Sequence, residues 1–329
     1  MSINERRQET KSQGGIMMGR ASVCIGLMAL VGGSLGPPVA KAGTAIQIGC
    51  TATTDCASAA VGVEDGIFAR HGLDATLTLI GLNSNIPAAL MSGSLQIGGP
   101  TPSVFLQAVD GGLDLVAIAG ASSTAAATSD SAAAVARAGE TITTAKDFVG
   151  KKVGVPGIGA FLDVLFRRWL IDQGVAPKDV SFVEVTFPTM NDVLKSGAVD
   201  AVVTAEPVLS RIVKAGTGTV AAEILAEIPP GEPQILYAAT RTWAEANPSV
   251  VAAYRAAIAE AAAVVNHDPE KARGAISRFT KMPLDTLKVM KLSVSDPSMT
   301  VPQLEWWAEV MKKQDMLQGT PDVKALLLP

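Results

Sequence analysis

The sequence predicts an α/β protein with two similar lobes, each a mostly parallel sheet flanked by helices. From Ala45 onward, short β-type runs alternate with helical patterns, which is typical of parallel α/β architecture. The same order of strand, helix, glycine, strand, loop, helix, Ser-Gly, strand and proline then occurs a second time further along the chain. Two such units in one chain favour two lobes with a cleft between them.

The first set of elements begins with the predicted strand AIQIG. A helix over about residues 58–70 follows and ends at Gly72, because glycine suits the left-handed position after a helix. DATLTLI is the second strand, PAALMSG a helix with Pro87 in its first turn, and LQIGG the third strand. Thr101 opens the next helix, and DLVAIAG is the fourth strand.

The second set repeats this order with the strands KKVGVPG, SFVEVTF and AVDAVVT. The first of its helices, over about residues 160–172, stops before Gly174. The segment from Thr189 to Asp192 resembles a capping box, in which a hydroxyl and a carboxylate cap each other's backbone donors. Glu206-Pro207 opens a further helix, and the chain is predicted to be helical from Ala246.

The first 42 residues are predicted to form a secretory signal peptide. Basic residues precede the apolar run ASVCIGLMALVGG, and a small-x-small site predicts cleavage after Ala42. The residues after Arg6-Arg7 are polar, which argues against a twin-arginine signal, and the apolar run continues past Cys24, which argues against lipidation there. Whether translation starts at Met1 or at Met17/Met18 stays open.

The composition limits the partners. The chain has 329 residues and a net charge of −4, and removing the signal peptide takes away more basic than acidic residues. An acidic surface without a basic run argues against nucleic acid. No other apolar run approaches membrane length, so we expect a soluble protein and a monomer.

After removal of the signal peptide, the two cysteines that remain are Cys50 and Cys56, in the stretch CTATTDC. A zinc site needs four ligands, and neither histidine lies nearby. The interval between Cys50 and Cys56 is also longer than that of a redox motif. We interpret the segment as a cleft-lining loop, with Thr54 or Asp55 capping the next helix. Outside the cytoplasm a disulfide is favoured, although the oxidation state stays open.

The loops at the carboxyl ends of the predicted strands are rich in Gly, Ser, Thr and Asn. Ligands of open α/β sheets bind at these ends, where helix N-termini present free N–H groups. The same residue types also form ordinary caps and turns. The loops are CTATTD, GLNSN, GGPTPS, SSTAAATS, GIGAF, TFPTMN and TAEP.

Blocks such as VEDGIFARHGLDATLTLI, TTAKDFVGKKVGVPG and LKSGAVDAVVTAEP resemble a known family. It is the nitrate, sulfonate and taurine group of ABC-transporter substrate-binding proteins, which also includes thiamine-pyrimidine binders. The resemblance extends from about Ile46 to Leu317. It implies the type II periplasmic-binding-protein fold, with lobe one over 43–123 plus 237–329 and lobe two over 124–236.

The resemblance also implies a function. A periplasmic protein without cofactor, metal or enzymatic activity would capture a small molecule by hinge closure and deliver it to a membrane permease with its ATPase. The positions that match the ligand loops of the family include Thr51, Thr53, Thr54, Asn83, Asn85, Thr101, Ser103, Ser122, Ser123, Gly159, Ala160, Phe161 and Glu206.

The ligand class is constrained by charge. The cleft loops contain no Lys or Arg but two acids, Asp55 and Glu206, which disfavours a bare dianion. An amine or zwitterion could pair its cation with these acids, and its anionic end with Gly159-Ala160. A nitrogen heterocycle could use Asn85 and Glu206 and stack on Phe161 or Phe187. The alternative to these ligand-binding roles is structural. Glu206 would then be a charge at a helix N-terminus, and Phe161 and Phe187 would be core residues. A small polar organic molecule is favoured over nitrate.

Two other functions use the same fold. A sensor or chemoreceptor partner would use the same cleft without feeding a permease. A thiamine-pyrimidine synthase would need a pyridoxal cofactor, a reactive histidine and a cysteine-rich motif. The cysteine-rich motif is absent, and His71 and His267 both lie at predicted helix ends. Trp306 and Trp307 are predicted to pack against lobe one rather than to contact the ligand.

Overall fold

A computed structural model describes residues 43–226, 228–288 and 290–329. The predicted signal peptide lies outside the described residues. The strands are β1 (Thr44–Cys50), β2 (Leu73–Leu79), β3 (Ile97–Gly98), β4 (Leu115–Ser123), β5 (Ala132–Arg137), β6 (Lys152–Val155), β7 (Ser181–Glu184), β8 (Ala201–Ala205), β9 (Gly218–Glu223), β10 (Pro233–Thr240) and β11 (Val294–Ser295).

Helices cover the sheets and form the C-terminal part of the chain. They are α1 (Ala57–Glu64), α2 (Ile67–Arg70), α3 (Ile86–Met91), α4 (Pro102–Asp110), α5 (Phe161–Asp172), α6 (Met190–Lys195), α7 (Val208–Lys214), α8 (Arg241–Ala246), α9 (Pro248–His267), α10 (Pro269–Thr280), α11 (Leu284–Lys288), α12 (Val301–Lys312) and α13 (Val323–Leu326).

The strands form two sheets, one in each lobe. The six-stranded sheet of lobe one has the order β11-β4-β10-β3-β1-β2, and the five-stranded sheet of lobe two has the order β7-β6-β8-β5-β9. Three strands of each sheet are parallel, β2-β1-β3 and β7-β6-β8. The two parallel groups correspond in order, which confirms that the repeated sequence pattern builds the same motif twice.

The sheets are mixed rather than mostly parallel. Strand β10 pairs antiparallel with β3 and β4, and β5 pairs antiparallel with β8 and β9. The sequence analysis predicted none of the strands β5, β9, β10 and β11. Runs such as AAAVAR and PQILYAAT are buried along nearly their whole length, so they lack the alternation that identifies a half-buried strand.

Two local predictions are wrong. The helix predicted over 58–70 is divided into α1 and α2 at Gly66, which has φ of +64°. Thr189 does not form a capping box, because its backbone is already helical and its hydroxyl donates to the carbonyl oxygen of Thr186 at 2.9 Å. Two capping boxes do occur among the described residues, at Thr144 and at Thr300.

Helix α9 corrects the expectation about apolar runs. It has 20 residues and is long and apolar enough to cross a membrane by length and composition. Its buried face includes Tyr254 and Ile258, which belong to the core cluster around β1, β4 and β10. In this structure α9 is a core helix of lobe one.

The chain crosses between the lobes twice, between β4 and β5 and between β9 and β10. The crossings are paired: the Thr124 N–H donates to the carbonyl oxygen of Glu232 at 2.8 Å, and the Glu232 N–H donates to Thr124 Oγ1 at 2.9 Å. The predicted return boundary at 236/237 lies inside β10. We therefore propose lobe boundaries within these two crossings, with β10 assigned to lobe one.

Candidate functional site

The candidate site is a cavity between the two lobes, at the carboxyl ends of β1, β6 and β8. Its enclosed volume is about 50 Å³, enough for a few water molecules. It is lined by Thr51, Thr53, Thr54, Asp55, Asn83, Thr101, Ser131, Ala132, Pro156, Ala160, Phe161, Leu162, Phe187, Ala205, Glu206, Leu225, Gln234, Ile235 and Ser293. The lining is thus shared by both lobes.

A disulfide shapes the loop after β1. Cys50 and Cys56 are bonded, with their Cα atoms 6.4 Å apart. The enclosed Thr51, Thr53 and Thr54 are all buried and line the cavity. Cys56, and neither Thr54 nor Asp55, is the N-cap of α1, and no side chain caps that helix.

Thr54 and Asp55 of this loop are held by hydrogen bonds to other residues of lobe one. Thr54 Oγ1 lies 2.9 Å from Ser293 Oγ. Ser122 Oγ donates to Asp55 Oδ1 at 3.1 Å. Ser122 therefore positions a residue of the cavity wall without lining the cavity itself.

Asn83 and Thr101 form one hydrogen-bonded unit. Asn83 Oδ1 accepts from the Thr101 N–H at 2.9 Å, and Asn83 Nδ2 donates to the carbonyl oxygen of Gly99 at 3.2 Å. Thr101 Oγ1 in turn accepts from the Val104 N–H at the start of α4. Asn83 thus serves to hold the loop after β2 against the start of α4.

Aromatic side chains of lobe two form part of the wall. Phe161 is the first residue of α5, and Phe187 lies in the turn before α6; both are nearly completely buried. The Phe161 ring packs against Trp307, with 5.2 Å between ring centroids. Trp307 is fully buried, donates from Nε1 to the carbonyl oxygen of Pro233, and is not among the lining residues.

Glu206 both lines the cavity and holds the start of α7. Its Oε1 accepts from the Ser210 hydroxyl at 2.6 Å, and its Oε2 accepts from the Ser210 N–H at 3.1 Å. Burial raises the pKa of Glu206, Asp130 adds to this rise, and the Ser210 hydrogen bonds oppose it. The alternative interpretation of Glu206 as a helix N-terminal charge therefore has a structural basis.

Five predicted ligand positions do not line the cavity: Asn85, Ser103, Ser122, Ser123 and Gly159. Asn85 is exposed on the turn before α3. Ser103 Oγ lies 3.0 Å from Thr101 Oγ1, and Ser123 pairs with Pro233 in the sheet. The Gly159 N–H donates to Asp163 Oδ2 at 2.7 Å, so it is occupied within α5.

Sequence analysis missed several lining residues, chiefly Gln234, Ile235, Ser293, Leu225 and Ser131. Gln234 is the most informative of them. It is only 7% exposed, and its Oε1 has no hydrogen-bond partner among the residues that the structure describes. A glutamine inside the apolar strand PQILYAAT was the signal that could have identified it.

No cluster of three or more His, Cys, Asp or Glu side chains suited to a metal ion occurs in residues 43–226, 228–288 and 290–329.

Solved structures with the same fold are known. An alkanesulfonate-binding protein from Xanthomonas axonopodis pv. citri, bound to MOPS, is 16% identical with a TM-score of 0.74, covering 87% of this chain and 98% of that one. The periplasmic aliphatic sulphonate-binding protein of Escherichia coli is 18% identical, with a TM-score of 0.67 and coverages of 86% and 97%. The periplasmic nitrate-binding protein of Synechocystis PCC 6803 is 18% identical, with a TM-score of 0.72 and coverages of 86% and 84%.

All three are named as binding proteins and none as an enzyme, in agreement with the predicted non-enzymatic function. A search of curated protein sequences finds no match. The profile of the NMT1-like family matches residues 40–279. Because this region is most of the chain, the protein belongs to the NMT1-like family, and it has the two-lobed fold of the periplasmic binding proteins.

Proposed function

We propose that the protein is the extracytoplasmic solute-binding component of an ABC importer. It captures a small polar organic molecule in the cavity between its lobes and delivers it to a membrane permease that works with an ATPase. The predicted ligands are sulfonate- or taurine-like compounds and nitrogen heterocycles. The observation that carries the proposal is a cavity lined by strand ends of both lobes, within a family and fold that the comparisons establish.

Hinge closure is the proposed mechanism, and two contacts between the lobes support it. Lys291 of lobe one pairs with Asp130 of lobe two at 2.8 Å, and Ser84 Oγ donates to Glu184 Oε1 at 2.9 Å. A ligand that touches both lobes stabilises the closed state relative to the open one.

Small-angle scattering and uptake test this proposal. The exported protein, freed of bound ligand by unfolding and refolding, is expected to become more compact when its ligand is added. Cells that lack the gene are expected to lose uptake of the same compound, and restoring the gene should restore it. Ligand binding with unchanged uptake would overturn the import function and favour sensing through the same cavity.

A further inference from the structure

We propose that the cavity selects a neutral or positively charged ligand that donates hydrogen bonds from nitrogen, carried on a flat apolar body, and that it excludes oxoanions such as nitrate and sulfonate. This inference rests on the proposed function; of the two ligand classes named there, it keeps the nitrogen heterocycles and drops the sulfonate- and taurine-like compounds. It separates this chain from the sulfonate- and nitrate-binding proteins that share its fold.

The charge of the lining disfavours an anion. Among the described residues that line the cavity, none is Lys, Arg or His, whereas Asp55 and Glu206 are acids. A carboxylate beside a bound oxoanion raises the cost of holding both charges in a partly desolvated space. The same carboxylates stabilise a cation or a polarised N–H group.

Side chains accept one backbone N–H at the start of each of three helices beside the cavity. At α5, the Gly159 N–H donates to Oδ2 of the fully buried Asp163. At α7, the Ser210 N–H donates to Glu206 Oε2. At α4, the Val104 N–H donates to Thr101 Oγ1. Anion sites at helix N-termini depend on free N–H groups, and these side chains compete with an anion for one donor at each of α4, α5 and α7, while α1 has no side-chain cap.

Gln234 supplies an acceptor that needs a donor. Its side chain is buried in the cavity wall, and Oε1 has no partner among the described residues. A buried acceptor without a partner is unfavourable, and a nitrogen donor on the ligand would satisfy it. An oxoanion has no donor that could satisfy Gln234 Oε1.

The remaining wall suits a flat apolar body. The apolar lining residues come from both lobes and include Phe161, Phe187, Leu162, Leu225 and Ile235. Aromatic rings of a ligand pack on such side chains in stacked or edge-on contacts. The cavity therefore combines apolar walls with acceptors at a few defined points.

A set of small nitrogen donors and oxoanions tests the selectivity. We would measure thermal shifts and titration calorimetry of the exported protein, freed of bound ligand, with benzylamine, benzamide, 4-aminopyrimidine, benzenesulfonate and nitrate. At least one nitrogen donor is expected to bind, and benzenesulfonate and nitrate are not. Preferred binding of either oxoanion would overturn this inference and leave the proposed function standing. If no nitrogen donor binds, the inference is wrong; if no probe or candidate solute closes the lobes, the proposed function falls with it.

Two variants test which residues are responsible for the ligand selectivity. Gln234→Met removes the unpaired acceptor, so the ligand-free protein is expected to keep or raise its Tm while affinity for the nitrogen donor falls about tenfold. The matched control Gln173→Met alters an exposed glutamine and is expected to change neither. Glu206→Gln should weaken positively charged probes more than neutral ones, and the exposed Glu245→Gln serves as its control. Unchanged affinity in both cavity variants would exclude these residues as the selecting groups.

Discussion

The disulfide between Cys50 and Cys56 holds the threonine loop in the cavity wall. Without it, the unfolded chain gains the freedom that closing a seven-residue loop removes, which corresponds to about 2 kcal/mol. We expect the double variant Cys50→Ser/Cys56→Ser to lower the free energy of unfolding by about this amount and to weaken ligand binding.

Denaturant titration with and without reductant checks this prediction. Reductant should lower the stability of the wild-type protein and leave the serine variant unchanged. Mass analysis that finds two free thiols in the exported protein would contradict the disulfide itself.

Glu232 predicts a pH dependence of stability. Its Oε2 is buried without a partner, and burial raises its pKa from the ordinary value of 4.5 to about 7. Since the folded-state pKa lies above the unfolded one, the stability that the neutral form contributes is complete below pH 4.5 and is lost as pH rises through about 7. Glu232→Gln should remove this decrease.

The measurement is the Tm difference between wild type and Glu232→Gln across this pH range. In this difference the contributions of the other acids to the pH dependence cancel. The exposed Glu223→Gln should parallel the wild type. A wild-type protein that parallels Glu232→Gln at every pH would rule out the shift.

At the scale of the element, helix α5 depends on Asp163. Its Oδ1 accepts from Arg167 Nε at 2.7 Å, and its Oδ2 accepts from the Gly159 N–H. Burial raises the pKa of Asp163, and Arg167 and the Gly159 N–H oppose that rise. Asp163→Asn breaks a buried ion pair and is expected to cost about 3 kcal/mol of unfolding free energy.

Asp172→Asn is the matched control, because Asp172 pairs with Arg168 on the same helix but is largely exposed. Exposed pairs contribute about 0–1 kcal/mol, so chemical denaturation should separate the two variants clearly. Equal losses would show that burial does not strengthen the Asp163 pair.

At the scale of the whole molecule, the pair between Lys291 and Asp130 joins the lobes on the surface. Lys291→Glu places two like charges at this contact and should favour the open state. We expect ligand affinity to fall about fivefold, because the closed state must then be formed against repulsion. Scattering of the ligand-free protein should show a larger mean radius.

Lys288→Glu makes the same charge change nearby, where Lys288 pairs with Asp285 within the same helix. Titration calorimetry of both variants decides the point. An equal loss of affinity in the control would attribute the effect to net charge rather than to the contact between lobes.

The repeated order of elements could be predicted because each parallel strand is followed by a helix and a glycine stop, such as Gly72, Gly174 and Gly197, all with positive φ. The crossing strands β5 and β10 could not, since their burial on both faces removes the alternation. The threonine loop, Asn83, Thr101, Ala160, Phe161, Phe187 and Glu206 were predicted and do line the cavity. Their contact with a ligand stays a prediction.

The sequence by itself determined the two-lobed α/β class, the family and the loops at the strand ends, because these follow from local patterns and from the order of conspicuous segments. Only the tertiary structure decided which side chains of those loops face the cavity and which form hydrogen bonds with one another. Ser293 contacts Thr54 from far along the chain, Gln234 lines the same cavity, and the Gly159 N–H donates to Asp163. Hydrogen-bond partners depend on distances in space, which residue spacing along the chain does not specify.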